Sequence, residues 1–460
     1  MGTLAEAQQR WTAEVAEHAV RLGVPGVAAG VLMGGRQHVA VHGTTSVENP
    51  LPVDANTLFQ IGSTGKTFTA TAMLRLVEQG KVDLDERVRV YLPDLRLADE
   101  SVAAELRVLH LLTHTAGFEG DRMADTGEGD DALAAYVATF ADRPQLLPPG
   151  GPPSYNNAAL ALAGRVIEVV TGRTFERAIE ELLLEPLGLD HTLLRLNDIM
   201  TRSFAVGHEQ HDDGTVSPAR PWSMARAEVP VGGRIAASVR DQLAWARFHL
   251  GDGRAPDGTR LLSTELLRRM QRAHATRGRH QSYGIVWKLR EQAGTRVVEH
   301  GGAVPGQHSA FLMVPDQDYA VVVLTNCHPN GQALWREIVR LSLQAHLGLV
   351  EPEPVARAMS AVQLARYAGT YGFDSMLARI TVSGTGLVLE TDSPEMAAHA
   401  RAAGKPPPVP FPPMTVGLTD DQSYVVLDGA HRGMRGEFLL EGDEVTAVTH
   451  FGRLLPRRHV

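Results

Sequence analysis

Leu58-Phe59-Gln60-Ile61-Gly62-Ser63-Thr64-Gly65-Lys66 runs from a short strand into a helix start and sets a serine three residues before a lysine. Positions i and i+3 of a helix share a face, so the lysine nitrogen can reach the serine hydroxyl. The lysine is the unusual part. Only four of the chain's 44 basic residues are lysines, and the others are arginines. Arginine keeps its proton in proteins, whereas a buried lysine can lose its charge and act as a base. Keeping a lysine at position 66 therefore marks a place where deprotonation matters, and Ser63 becomes a candidate nucleophile. At a helix N-terminus Ser63 would also have backbone N–H groups facing developing negative charge. Gly62 and Gly65 are expected to leave room for a substrate.

Outward from this segment, the helix opened by Ser63 runs through Phe68, Ala72, Leu76 and Val77 to a cap at Gly80. Upstream, residues 4–22 read as an amphipathic helix, and Val27–Met33, Gly34-Gly35 and Gln37–Val41 as a hairpin. From about 83 to 220 the pattern is mostly helical: Val108–Leu112, Ala132–Phe140, Asn157–Val170 and Phe175–Leu184. A helix at Val239–Leu250 follows, then strand-like runs at Tyr283–Leu289, Arg296–His300, Ser309–Val314 and Tyr319–Thr325, and a helix at Gln332–Leu347. Strands at both ends and helices between them predict an α/β (α+β) domain over residues 1–350. Its antiparallel sheet would be flanked by helices, with a helical subdomain inserted. Glu351-Pro352-Glu353-Pro354 reads as a boundary, with 351–359 a linker. Residues 360–460 alternate in short runs and predict a small antiparallel β-barrel, with Lys405–Pro413 a loop in it.

Composition narrows the function classes. A chain of 460 residues suggests roughly two or three domains. Its 43% hydrophobic and 21% charged residues are ordinary for a globular protein. A net charge of −9 without a basic stripe argues against nucleic acid. Cys327 is the single cysteine, which excludes an internal disulfide or a cysteine metal cluster. The polar N-terminus has no apolar signal core, and no run reaches the roughly 20 apolar residues of a membrane span. The expectation is a cytoplasmic protein with no membrane partner.

Two further segments carry chemistry. Ser154-Tyr155-Asn156-Asn157 precedes a helix; a tyrosine hydroxyl can pass a proton when a cation lowers its pKa, and an asparagine amide can hold a carbonyl. Glu299-His300-Gly301-Gly302-Ala303 ends a strand; its glycines would let a ligand backbone pair with the strand edge, and the Ala303 N–H could join that of Ser63 in an oxyanion hole. Other features read as structural. His110 and His114 have zinc-helix spacing but lack a neighbouring glutamate and a third ligand, so no metal is expected. Glu128-Gly129-Asp130-Asp131 reads as a solvated loop. Arg453, Arg457 and Arg458 read as a solvated basic tail, unless the β domain folds over the cleft and offers them to a substrate carboxylate.

The order Ser-x-x-Lys, Tyr-x-Asn, then a strand-borne [Lys/His]-x-Gly resembles the serine β-lactamase and penicillin-binding-protein superfamily. Within it the chain is most similar to the class C branch and its related esterases and DD-peptidases. His110–Gly117, Glu185–Leu189 and Val231–Ser238 look similar too, and the resemblance spans about residues 10–345. It implies a cofactor-free enzyme in which Ser63 attacks an ester, amide or lactam carbonyl and Lys66 and Tyr155 share the proton. Asn157 would hold the acyl side chain, Gly301 and Gly302 would bind substrate, and the N–H groups of Ser63 and Ala303 would receive the oxyanion. His300 would polarise Tyr155 and contact a substrate carboxylate or carbonyl.

One departure redirects the expected activity. Class C β-lactamases carry Lys-Thr-Gly where this chain has His300-Gly301-Gly302, so the fixed charge that grips a β-lactam carboxylate is weakened. That favours an esterase or peptidase acting on a small ester or a peptide, perhaps one containing a D-residue, with weak β-lactamase activity at most. The 360–460 segment resembles the lipocalin-like accessory domain of some superfamily peptidases and of penicillin-binding-protein-type thioesterases that cyclise peptides. Acyl transfer to an amine is therefore the alternative, and a ligand-binding module without turnover is the third.

Overall fold

The computed structural model describes residues 4–278, 281–350, 355–402, 404, 412–429 and 431–458. The first helix, α1 (Leu4–Leu22), leads into the hairpin β1 (Gly26–Met33) and β2 (Arg36–Gly43), turned by Gly34 and Gly35 at φ of +53 and +74. The helix that follows Ser63 is α2 (Lys66–Glu78), and the inserted helical region includes α3 (Asn157–Thr171); α4 (Val239–Leu250) follows it. The late strands are β3 (Ala275–Arg277), β4 (Gln281–Tyr283), β5 (Lys288–Gln292), β6 (Thr295–Val304), β7 (Gln307–Val314) and β8 (Tyr319–Thr325), closed by α5 (Asn330–Leu347).

As expected, the early hairpin joins these strands in one antiparallel sheet, ordered β2-β1-β8-β7-β6-β5-β4-β3. Val27, Ala29 and Val31 of β1 pack with Trp11, Val15, Leu334 and Ile338 of α1 and α5, while Ala28 and Leu32 face the helices on the other side. Alternation of this kind buries both faces of the sheet. The second core surrounds α2, which is buried on nearly all sides; Phe68 stacks on Trp245 of α4 at 4.1 Å. Burying α2 so deeply is what removes water from Lys66.

Several predicted elements change shape. The Tyr283–Leu289 run is broken at Gly284–Trp287, because Ile285, Val286 and Trp287 are all buried and Val286 turns to φ +59 to donate to the Leu112 carbonyl at 2.7 Å. The helix expected at Phe175–Leu184 widens into a π turn over Glu180–Leu184. The acidic run is exposed, as expected, and is also paired: Glu128 takes both ends of the Arg234 guanidinium, and Asp130 accepts from Arg226 at 2.9 Å.

The C-terminal part is β9 (Gly369–Phe373), β10 (Met376–Ser383), β11 (Gly386–Asp392), β12 (Met414–Leu418), β13 (Ser423–Val426), β14 (Arg435–Glu441), β15 (Glu444–His450) and β16 (Arg453–Pro456). They pair in sequence order, and a Tyr371–Arg457 bridge brings the two ends together into a nearly closed barrel. Its interior is filled by side chains, among them Tyr367, Tyr371, Leu389, Tyr424 and Phe438. The Glu351–Pro354 boundary, and the Lys405–Pro413 loop except its last two residues, lie outside the described residues.

Candidate active site

Ser63 lies in a 3-10 turn, Gly62–Gly65, that feeds α2. The turn is pressed between two other backbones. A Cβ on Gly62, at φ +51, would lie 2.6 Å from the Ala303 nitrogen, and one on Gly302 would lie 1.9 Å from the Ile61 carbonyl oxygen. Gly65 likewise abuts Gly232. These glycines do not make space for substrate, as expected of Gly62, Gly65 and Gly302; they let β6 and the Gly232 loop close on the serine turn. Only Gly301 is open, its nearest contact being the Ser309 carbonyl at 3.4 Å. A buried chain from Thr64 to Ser309 (2.8 Å) to the Ile61 carbonyl (2.7 Å) locks the arrangement.

Lys66 is fully buried, with its nitrogen 2.9 Å from Ser63 Oγ and donating to the Val231 carbonyl at 3.0 Å. Burial, followed by the charge of Arg453, holds its pKa well below the ordinary lysine value. The Lys66 nitrogen and the Arg453 guanidinium each lie 4.9 Å from the centre of the Tyr155 ring. Burial nevertheless pushes the phenol up, outweighing its hydrogen bond with Ser63 and the Arg453 charge, so Tyr155 is a neutral hydroxyl rather than the low-pKa phenol expected.

His300 is 2% exposed, and burial drives its pKa down to about 3. Its Nδ1 donates to the Gly301 carbonyl at 2.8 Å, which leaves Nε2 as a lone pair, buried and unpartnered among the described residues. This neutral tautomer cannot grip a carboxylate; its free nitrogen accepts. The Ala303 N–H is beside the serine turn, as the oxyanion reading requires, and Ala303 itself is exposed. Beyond Glu299, the last residue paired with β5, the edge of β6 runs on through His300–Val304.

The barrel supplies the remaining wall. Phe451 and Gly452, at φ +45 and +80, turn the β15–β16 hairpin, and its tip enters the cleft. The Gly452 carbonyl accepts from Tyr155 N at 2.9 Å and from Arg277 at 2.8 Å. Arg453 grips both oxygens of Asp121, at 2.9 and 2.6 Å, and Asn157 Nδ2 donates to the same carboxylate at 3.0 Å. Burial pushes Asp121 up, but Arg453 and Asn157 bring it below the ordinary aspartate value. Arg457 and Arg458 stay on the barrel, bonded to the Ala368 carbonyl and to Asp374.

A family model described as Beta-lactamase matches residues 9–344. The chain belongs to the β-lactamase family. Penicillin-binding protein 4 of Amycolatopsis lactamdurans is 34% identical over 373 residues, covering 79% of this chain and 96% of that one. The crystal structure of SurE matches with TM-score 0.76 at 23% identity, covering 99% of this chain and 100% of SurE; SurE with D-Leu gives 0.73. A class C β-lactamase from Rhodobacter sphaeroides matches with TM-score 0.60 at 23% identity, over 72% of this chain and 99% of that one. This β-lactamase-family protein therefore has a class C-like fold for its first part, and SurE shares its whole two-part architecture.

Sequence reading missed three residues that reach Lys66 or Tyr155. His114, read as merely structural, lies 4.4 Å from the Tyr155 ring and accepts from Asn156 N at 3.1 Å, whereas His110 caps its own helix. Asp121 carried no local signal; Glu119, bonded to the backbone of Asp121 and Arg122, holds it in place. The third, Lys288, was legible through the same scarcity of lysine that marked Lys66. Among the described residues no group of three or more His, Cys, Asp or Glu is placed to hold a metal ion, and no helix is long and apolar enough to cross a membrane.

Proposed function

We propose that the protein is a serine acyl-enzyme hydrolase acting on a small ester or a peptide, with Ser63 as nucleophile and Lys66 as base. The observation that carries this reading is the buried amine 2.9 Å from the serine hydroxyl. In its neutral form the amine donates one N–H to Val231 and turns its lone pair to Ser63. Ser63 Oγ bonds to the substrate carbonyl carbon as its proton passes to Lys66. The carbonyl π pair moves onto oxygen, where the N–H groups of Ser63 and Ala303 receive it. Collapse expels the leaving group, which takes the proton from Lys66 through the neutral Tyr155 hydroxyl. Water then attacks the acyl carbon by the same route in reverse.

Beside Tyr155 a small hollow is lined by Phe118, Leu147, Phe373 and Met376 together with Asp121, Ser154 and Arg453, apolar and polar in about equal measure. The D-Leu bound by the similar SurE supports a D-residue as part of the substrate. A neutral His300 disfavours a β-lactam carboxylate, so β-lactamase activity is weak at most. Transfer of the acyl group to an amine is the second reading, favoured because the barrel roofs the cleft and restricts water. A neutral fluorophosphonate should add one label per chain, at Ser63. An activated peptide ester with a competing amine then separates the readings, because hydrolysis alone eliminates transfer. No label at Ser63 would remove both.

A further inference from the structure

One basic side chain around the cleft has no hydrogen-bond or ion-pair partner among the described residues. Lys66 donates to the Val231 carbonyl and meets Ser63 Oγ, and burial holds its pKa well below the ordinary lysine value. Arg453 is spent on both oxygens of Asp121. Arg277, 2% exposed, donates to the Pro153 and Gly452 carbonyls at 2.8 Å each. His300 and His114 are held neutral by burial. Lys288, half-buried at the start of β5, makes no hydrogen bond or ion pair among the described residues.

Its position is specific. In the sheet it lies directly between Tyr283 of β4 and Glu299 of β6. Tyr283 sets its ring edge on His114 at 5.4 Å, and its hydroxyl lies 3.2 Å from where a Gly452 Cβ would be, beside Tyr155. Glu299 is taken by Arg290 at 3.1 Å and so does not neutralise Lys288. Lys288 is also the last β5 residue paired with β6, at the point where the β6 edge becomes free. The Lys288 charge reaches Lys66, His114 and His300.

We infer that Lys288 is a specificity-determining residue that binds an anionic group, a carboxylate, on a substrate lying along the free edge of β6. This rests on the acyl-enzyme reading above. Strands rise about 3.3 Å per residue, so the four steps from Ala303 back to Glu299 span about 13 Å, and a lysine side chain shortens the gap by several ångströms. The carboxylate would stand two or three residues from the reacting carbonyl.

The test uses two matched pairs of aryl esters of a dialanyl acyl group. One pair carries a carboxylate or a carboxamide on the phenol, and the other a succinyl or a succinamoyl cap. Wild type should prefer the carboxylate in one pair by about fivefold to tenfold, in KM more than kcat. K288Q should abolish that preference and K288R should keep it, since charge and not the amine is required. Labelling of wild type by the neutral fluorophosphonate tests the acyl-enzyme reading separately. If labelling succeeds but neither pair shows a preference, or K288Q retains it, the assignment of Lys288 is overturned. If K288Q itself is not labelled, K288M is read in its place against the same criteria.

Discussion

The barrel tip should tune the base electrostatically, and the sign of the effect separates tuning from mere docking. Arg453 and the Lys66 nitrogen each lie 4.9 Å from the centre of the Tyr155 ring, so they are at most about 10 Å apart. Two unit charges at that separation, with an effective dielectric constant near 20, repel by about 1.7 kcal/mol. That repulsion favours the neutral, reactive amine. Asp121 acts in the opposite sense and more weakly. R453M should therefore move the acidic limb of the acylation rate to higher pH, slowing labelling about tenfold at a fixed pH on that limb. D121N should move the limb to lower pH, and the double variant should fall between them. The assay is the second-order rate of fluorophosphonate labelling from pH 5 to 9. If the pair served only to hold the barrel in place, both single variants would slow acylation alike, and equal slowing would refute the electrostatic argument.

Three other outcomes follow from the geometry. K66R should lose about 10²–10⁴-fold in acylation rate with an unchanged circular dichroism spectrum, since the charge persists and the base does not; retained labelling would remove Lys66 from the mechanism. G62A should cost about 1–2 kcal/mol for the left-handed backbone alone, and its Cβ would push Ala303 N from the oxyanion position, lowering kcat about 100-fold with little change in KM; a normal kcat would show that the two N–H groups do not act together. Glu228 is buried, its Oε2 is unpartnered among the described residues, and burial raises its pKa to about 7. The folded chain thus holds this proton more tightly than the unfolded one, and stability is lost as pH rises from about 4.5 through 7. E228Q should melt like wild type near pH 4.5 and be more stable by on the order of 3 kcal/mol at pH 8; an equal gain at both pH values would contradict this.

The parts legible in the sequence were those set by local pattern. Gly34-Gly35 between alternating runs marked the first hairpin, and the lysine at 66 singled out its serine. What could not be read is what distant segments do to one another. Asp121, Asn157 and Arg453 meet across some 330 residues of chain, and no spacing rule links them. The glycines of the serine turn were misread because local sequence cannot distinguish room for a ligand from contact with another strand. The direction of the Tyr155 shift was misread for the same reason: cations nearby were foreseeable, but the burial that outweighs them is a property of the whole core.

A neutral imidazole at position 300 has a consequence for the rest of the site. A fixed cation there would do two things at once: suppress the charge on Lys66 and attract an anion on the substrate. His300, held at a pKa of about 3, does neither. The chain divides the two tasks between residues that come from different places. Arg453, at the tip of a C-terminal hairpin, lies close enough to suppress the lysine charge but is itself neutralised towards substrate by Asp121. Lys288, one strand away from His300, is left free of any carboxylate partner among the described residues and so keeps its attraction. The barrel interior is filled by side chains, so the barrel acts on the site through the surface it turns towards Tyr155, which includes Phe373 and Met376 as well as the Phe451–Arg453 turn. On this argument, removing residues 360–460 would not simply uncover the cleft: it would also take away the Arg453 charge that adds to burial in lowering the Lys66 pKa.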